Sequence, residues 1–335
     1  MKKITTLLVA VVALFAIVGC DALHTVSENK VVSQGSPYEL VVVSNQPQWD
    51  GELGDSLRAV FTAPIPYLQQ TEPLYDVIRV TERGYTNLVT RHRNIFRTLI
   101  EPTLDSASVA VQYDLISTPQ VVLTLQGPTE ESLTEYLSEH RAQVISALEM
   151  AERDRALSHA KQFGIKGLEG IVKEKFGFEM HIPTGYLLRN QGDDFLWMSF
   201  EYPTASQGVI IYKYPAVEGV KSLTATNLTK ARNKFVAKVP GPSDGSYMTT
   251  FTEVEPDYRL IRLNGRIWAE MRGFWDVAGD FMGGPFVSYS TIDIQTGEVV
   301  TIDAYVYSPK LGKRNFMRGV EHLIHNVNFP APSND

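Results

Sequence analysis

Residues 259–307 read RLIRLNGRIWAEMRGFWDVAGDFMGGPFVSYSTIDIQTGEVVTIDAYVY, and their turns decide the fold of the second half. Asn264-Gly265 is the favoured two-residue hairpin turn, because both residues tolerate positive φ. It places Arg259 opposite Glu270 and Ile261 opposite Trp268. Gln295-Thr296-Gly297 reads as a three-residue loop with Gly297 in the left-handed position. That loop sets Ile292 against Val300 and Ser290 against Ile302 on one side, with Thr291–Thr301 and Tyr289–Asp303 on the other. Gly273-Phe-Trp-Asp276 and Gly279–Pro285 then form a Gly-rich aromatic connection between the hairpins. The whole stretch is predicted to be an antiparallel meander.

The flanks agree with that reading. Phe195–Tyr202 and Gly208–Tyr214 are apolar, β-branched runs that predict strands. Ser222–Val239 is an amphipathic helix stopped by Pro240-Gly241-Pro242. Lys313–Val327 is a closing helix whose stripe Phe316, Met317, Val320, Leu323, Ile324 and Val327 should lie on the meander.

The first half mixes strands and helices. Tyr38–Val43 and Asp76–Val80 read as strands, as do Ile95–Ile100, Ser108–Ile116 and Gln120–Leu125. A short helix carries Leu57, Val60 and Phe61, and Tyr85–His92 is predicted helical. Thr129 caps one long helix with Glu130 and Glu131 in its first turn, where negative charge suits the dipole. Its polar end, Glu152-Arg-Asp-Arg155, should be solvated. The fold class expected is α+β: two α/β sandwich domains with mainly antiparallel sheets, over residues 38–161 and 165–329.

Composition narrows the function. The chain has 335 residues, 44% of them hydrophobic and 21% charged, enough for two cored domains. A net charge of −7 argues against a nucleic-acid partner held by phosphate contacts. One cysteine makes neither an internal disulfide nor a Cys-rich zinc site.

The N-terminus carries an address. Lys2 and Lys3 precede an apolar run, Ile4–Val18, broken by Thr5 and Thr6 and ending in Gly19-Cys20. As a helix that run is roughly 22 Å long, short of a hydrocarbon core of about 30 Å, and its layout is that of a secretory signal. The ending resembles the lipobox of bacterial lipoproteins. The resemblance implies cleavage after residue 19 (signal peptide 1–19), acyl chains such as palmitate on Cys20, and a tether over residues 20–37. Two or more chains anchor stably, at about 0.8 kcal/mol per buried methylene. The expected place is the bacterial cell envelope, periplasm-facing, with the membrane engaged through the N-terminal lipid.

Two further resemblances follow. Leu68-Gln-Gln-Thr-Glu-Pro73, Arg91-His-Arg-Asn94, Asn264-Gly-Arg-Ile-Trp268, Gly273-Phe-Trp275 and Tyr307-Ser-Pro309 through Lys313-Arg314 resemble an uncharacterised family of Bacteroidetes envelope lipoproteins. Residues 178–329 are similar in element order to PsbP-like sandwiches, which implies an accessory, mostly non-catalytic role.

No His-Glu-x-x-His motif occurs. No catalytic, cofactor-binding or metal residue is assigned, and no cofactor is expected. His322 and His325 share a helix face, yet at 100° per residue they point off the apolar stripe and are expected at the surface. The basic turn Pro309–Arg314 is expected to be solvated. The candidate binding surface is Trp275 and Asp276, with Arg91 and Arg93 as anion donors. The function expected is a non-catalytic binding or assembly module with an envelope protein or glycan partner. The alternatives are a carboxylate-dependent cell-wall or glycan hydrolase, which needs two acids about 5–10 Å apart, and a small-ligand carrier with an apolar cavity.

Overall fold

A computed structural model describes residues 30–330. The expected signal peptide 1–19, Cys20 and the expected tether as far as residue 29 lie outside the described residues.

The first domain is a five-stranded sheet with helices on one face. In chain order it holds β1 (Val31–Val32), β2 (Glu39–Val43), α1 (Gln46–Asp50), α2 (Glu52–Phe61), β3 (Asp76–Val80), β4 (Asn94–Ile100), β5 (Ser108–Tyr113), β6 (Ser117–Thr118), β7 (Val121–Gly127), α3 (Glu130–Glu139) and α4 (Arg141–Phe163). The sheet order is β3-β2-β4-β7-β5. Antiparallel pairs predominate over the two domains together, but in this sheet β2 pairs with β3 and β4 in parallel, β4 pairs with β7 in parallel, and only β5 runs against its neighbour. Leu40–Val43 shows why: every side chain of the run is buried, as a parallel strand covered on both faces requires. One face packs on α2, α3 and α4 through Leu57, Phe61, Leu137 and Leu148. The segment after β3 covers the other with Tyr85 and Val89. That segment is not the helix expected over 85–92; it holds a single 3-10 turn at Val89–Arg91.

The long helix is also two. It breaks at His140, the shared cap of α3 and α4. Residues 30–37, expected to belong to the tether, are stitched to the domain: β1 pairs with β6, and the Gln34 amide donates to the Arg91 carbonyl at 2.9 Å.

The second domain is a three-layer α/β/α sandwich. It contains α5 (Lys166–Phe176), β8 (Leu187–Gln191), β9 (Phe195–Tyr202), β10 (Ala205–Pro215), α6 (Ala225–Val236), β11 (Tyr247–Thr250), β12 (Asp257–Leu263), β13 (Arg266–Ala278), β14 (Gly283–Asp293), β15 (Glu298–Tyr307) and α7 (Arg314–His325). The antiparallel order is β11-β13-β14-β15-β10-β9-β8, with β12 beside the first half of β13. Helices α5 and α7 cover one face and α6 the other.

The first hairpin has the expected register, Arg259 opposite Glu270 and Ile261 opposite Trp268. The second is shifted by one: Ile292 faces Val299, Ser290 faces Thr301 and Tyr289 faces Ile302. The loop has four residues, not three. The Asp293 carboxylate accepts from the Gln295 amide at 3.1 Å, and the Gly297 amide returns to the Asp293 carbonyl at 2.8 Å. This Asp-anchored turn closes the loop one residue earlier than Gly297 alone suggests.

Candidate functional site

Two places concentrate chemistry: a cavity in the second domain and a charged seam between the domains.

The cavity exists because α6 stops. Its last turn ends at Val236, and Pro240-Gly241-Pro242 forbids further helix over that end of the sheet. Left open is a space of about 500 Å³, walled by Trp197, Trp275, Tyr305, Tyr307, Met248 and Met282, among others. Alternation along β13 and β15 brings these side chains to one face. Trp275 and Val277 point in from β13 and Tyr305 and Tyr307 from β15, while Asp276 faces the other way.

Two strand glycines make the aromatic floor. A Cβ on Gly284 would lie 2.0 Å from the Val306 carbonyl oxygen and 2.9 Å from the Trp275 indole nitrogen. Its absence lets the indole cross β14 and donate to the Val306 carbonyl at 3.2 Å. A Cβ on Gly208 would lie 2.0 Å from the Tyr305 ring. Both glycines therefore admit the protein's own rings. Trp197 Nε1 donates to the Tyr305 hydroxyl at 3.0 Å, and Trp275 meets the Tyr305 ring edge-on at 5.5 Å. Burial pushes the Tyr305 hydroxyl well above the ordinary tyrosine range, so it stays protonated. Glu201 is the one carboxylate among the lining residues, and it accepts from Ser199 at 2.7 Å and Ser206 at 3.1 Å. The paired acids that glycan hydrolysis requires are not assembled there.

The other proposed surface residues lie elsewhere. Arg91 and Arg93 belong to the approach to β4 in the first domain, so the structure does not join them to Trp275. Arg93 Nη2 instead donates to the buried Glu152 carboxylate at 2.7 Å. The basic turn is not wholly solvated either: Lys313 and Arg314 are buried.

The seam is where α4 meets α7. Glu152, expected in solvent, is buried, and so is Glu149. Glu149 accepts from Tyr75 at 3.0 Å and from Arg318 of α7 at 2.9 Å. Glu152 accepts from Asn94 at 2.7 Å, and Arg155 lies 3.1 Å from it. The Glu72 carboxylate crosses from the first domain to cap α7, accepting from the Lys313 and Arg314 amides at 2.6 and 3.0 Å. Arg314 pairs with Asp76. Leu68–Pro73 and Lys313–Arg314, separate motifs in sequence, thus meet here.

His322 and His325 are not at the surface. The His322 ring lies 3.0 Å from the Tyr38 hydroxyl and the His325 ring 3.4 Å from the Tyr289 hydroxyl. The first domain covers the side that His322 presents, whereas His325 turns back onto Tyr289 of its own domain's sheet. Burial lowers His322 to about 4 and His325 to about 3, partly offset for each by Glu321. Arg272 and Arg318 hold Glu321 down to about 2 against its own burial. All three shifts stabilise the fold above the unfolded-state pKa values and lose that contribution as pH falls through the folded ones. Glu149, raised by burial, acts in the opposite direction. The expected result is a steep loss of stability between pH 6.5 and 4, followed in urea melts. His322→Gln keeps a partner for Tyr38 and should flatten the slope by about one proton. An unchanged slope would place His322 outside the titration.

Comparisons agree with two uncharacterised domains. Residues 33–161 match a domain of unknown function (DUF8532), and residues 167–326 match another (DUF4837). No curated protein matches the chain. Among solved structures, the Ran-binding protein Mog1p of Saccharomyces cerevisiae is 9% identical, with a TM-score of 0.30 over 46% of this chain and 90% of its own. LpqN of Mycobacterium tuberculosis, described as involved in cell envelope biogenesis, is 10% identical with a TM-score of 0.28, over 46% and 83%. Human StAR-related lipid transfer protein 5 is 10% identical with a TM-score of 0.23, over 52% and 95%. Among the described residues no group of three His, Cys, Asp or Glu side chains is placed to hold a metal. No helix among them is long and apolar enough to cross a membrane.

Proposed function

We propose that the protein is a lipid-anchored binding module of the bacterial envelope whose second domain holds a small, largely apolar ligand. The cavity beside Trp197 and Trp275 carries this reading. Its volume of about 500 Å³ falls within the range typical of small-molecule sites, about 300–1,000 Å³. Its walls are mostly aromatic and aliphatic, with Glu201, Thr204, Ser206, the Tyr305 hydroxyl and Lys310 as polar groups to orient the guest. The succession of Lys2-Lys3, the apolar run, Gly19 and Cys20, together with the resemblance to Bacteroidetes envelope lipoproteins, supports the envelope address.

Titrating the mature chain with 8-anilinonaphthalene-1-sulfonate tests the site. Saturable binding should quench the emission of Trp197 and Trp275. Met282 stands half-buried at the wall. Met282→Asp should weaken binding about tenfold, the equivalent of about 1.4 kcal/mol and within what one buried methionine contributes. Equal affinities for wild type and variant would remove this cavity as the ligand site.

A further inference from the structure

The described chain begins at one end of the first sheet, and that end is apolar on its outside. Three segments distant in sequence meet there. Val31 and Val32 of β1 pair with Ser117 and Thr118 of β6. The Ser117 hydroxyl donates to the Arg91 carbonyl at 2.9 Å, and Gln120 Nε2 donates to the Thr90 carbonyl at 2.8 Å. Lys30 Nζ donates to the Asp114 carbonyl. Around these bonds Val32 is 76% exposed and Leu88 59%, and Tyr113, Leu115 and Ile116 are each more than 40% exposed. Single exposed apolar residues are ordinary, whereas several gathered around one feature mark a surface that meets a partner.

The chain itself indicates the partner. Lys30 lies ten positions after Cys20, so residue 20 sits within about 35 Å of this patch even if every intervening residue is extended. We infer that this end of the first domain is the face laid on the lipid bilayer, with Val32, Leu88, Tyr113, Leu115 and Ile116 entering the headgroup–acyl boundary. Anchoring at residue 20 raises the local concentration of bilayer at the patch, so contacts too weak to recruit a free protein suffice to orient a tethered one. The inference rests on Cys20 as the point of attachment. The test supplies that attachment chemically, so failure of native acylation and failure of the membrane face remain distinguishable.

The mature chain from Cys20 to Asp335 is coupled through its single thiol to phosphatidylcholine vesicles bearing a maleimide lipid. Amide hydrogen exchange is then compared with the thiol-blocked protein free in solution. Exchange at residues 31–34 and 113–118 should slow about fivefold or more on the vesicles. The solvent-facing double variant Leu115→Asp, Ile116→Asp should lose that protection while keeping the wild-type exchange of β2 and β7. No slowing in tethered wild type, or slowing confined to the second domain, overturns the inference. Slowing that appears without vesicles as protein concentration rises also overturns it, and assigns the patch to a second copy of the chain. Mass spectrometry of residue 20 in the native protein separately tests the attachment.

Discussion

Replacing Arg232 by methionine lowers the free energy of unfolding by about 3–5 kcal/mol, the range for removing one partner of a buried ion pair. Arg232 on α6 is 1% exposed and Asp303 on β15 is fully buried. The guanidinium donates to both carboxylate oxygens, at 2.7 and 3.2 Å, and to the Thr250 hydroxyl at 2.8 Å. Its flat face lies 3.7 Å from the centre of the Phe286 ring. Methionine can refill that volume, but Asp303 then has no cation beside it. Burial already raises the Asp303 pKa, and Arg232 is the charge that opposes this. Without it the carboxyl protonates in the folded state at higher pH than in the unfolded chain. The deficit of the variant should therefore narrow as pH falls and widen as pH rises through the new pKa. Urea melts from pH 4.5 to 8 read both quantities. The double variant Arg232→Met, Asp303→Val should recover most of the loss, because it removes the stranded charge. A loss below about 1 kcal/mol at pH 7 would make the pair ornamental.

The sequence announced elements whose cause is local, and concealed what depends on distant chain. The Asn264-Gly265 register is legible because two turn residues fix it. The second hairpin shows the limit: Gly297 is visible, but the Asp293 side chain that closes a four-residue loop changes every pairing behind it. Buried runs such as Leu40–Val43 do not declare strand direction, so the parallel pairing of the first sheet was hidden. At the cavity, Trp275 was legible as an aromatic beside glycines. Trp197, Tyr305 and Tyr307 were not, because their convergence needs the order β13-β14-β15-β10-β9. The usable signal was a glycine inside an otherwise strong strand, Gly208, which marks close approach of another group. The polar run around Glu152 misled for a related reason. Charge predicts solvent only until a complementary surface arrives, and Arg93, Asn94 and Arg155 converge on it.

The seam between α4 and α7 carries the second large effect, expected on replacing Arg318 by methionine. Arg318 reaches from α7 to Glu149 on α4 at 2.9 Å and lies over the Tyr38 ring at 5.4 Å. Glu321 on its own helix further stabilises its charge, as burial opposes it. Removing the cation leaves Glu149 without its arginine and Glu321 with Arg272 alone, two carboxylates of like charge across the seam with little solvent. The expected cost is again about 3–5 kcal/mol, but its form differs from that of Arg232→Met. The lost contact joins two domains that each have their own sheet and core, so the variant should uncouple them rather than unfold one. Calorimetry of wild type should show one transition, and Arg318→Met should show two, the earlier accompanied by faster amide exchange along α4. Burial already raises the Glu149 pKa, and with Arg318 gone it rises further, so protonation relieves the repulsion and the two transitions should draw together as pH falls. Arg318→Lys keeps the charge and should preserve most of the coupling. A single transition in Arg318→Met, displaced by less than about 1 kcal/mol, would show that the Glu72 cap on α7 and the Arg314–Asp76 pair hold the domains together without it.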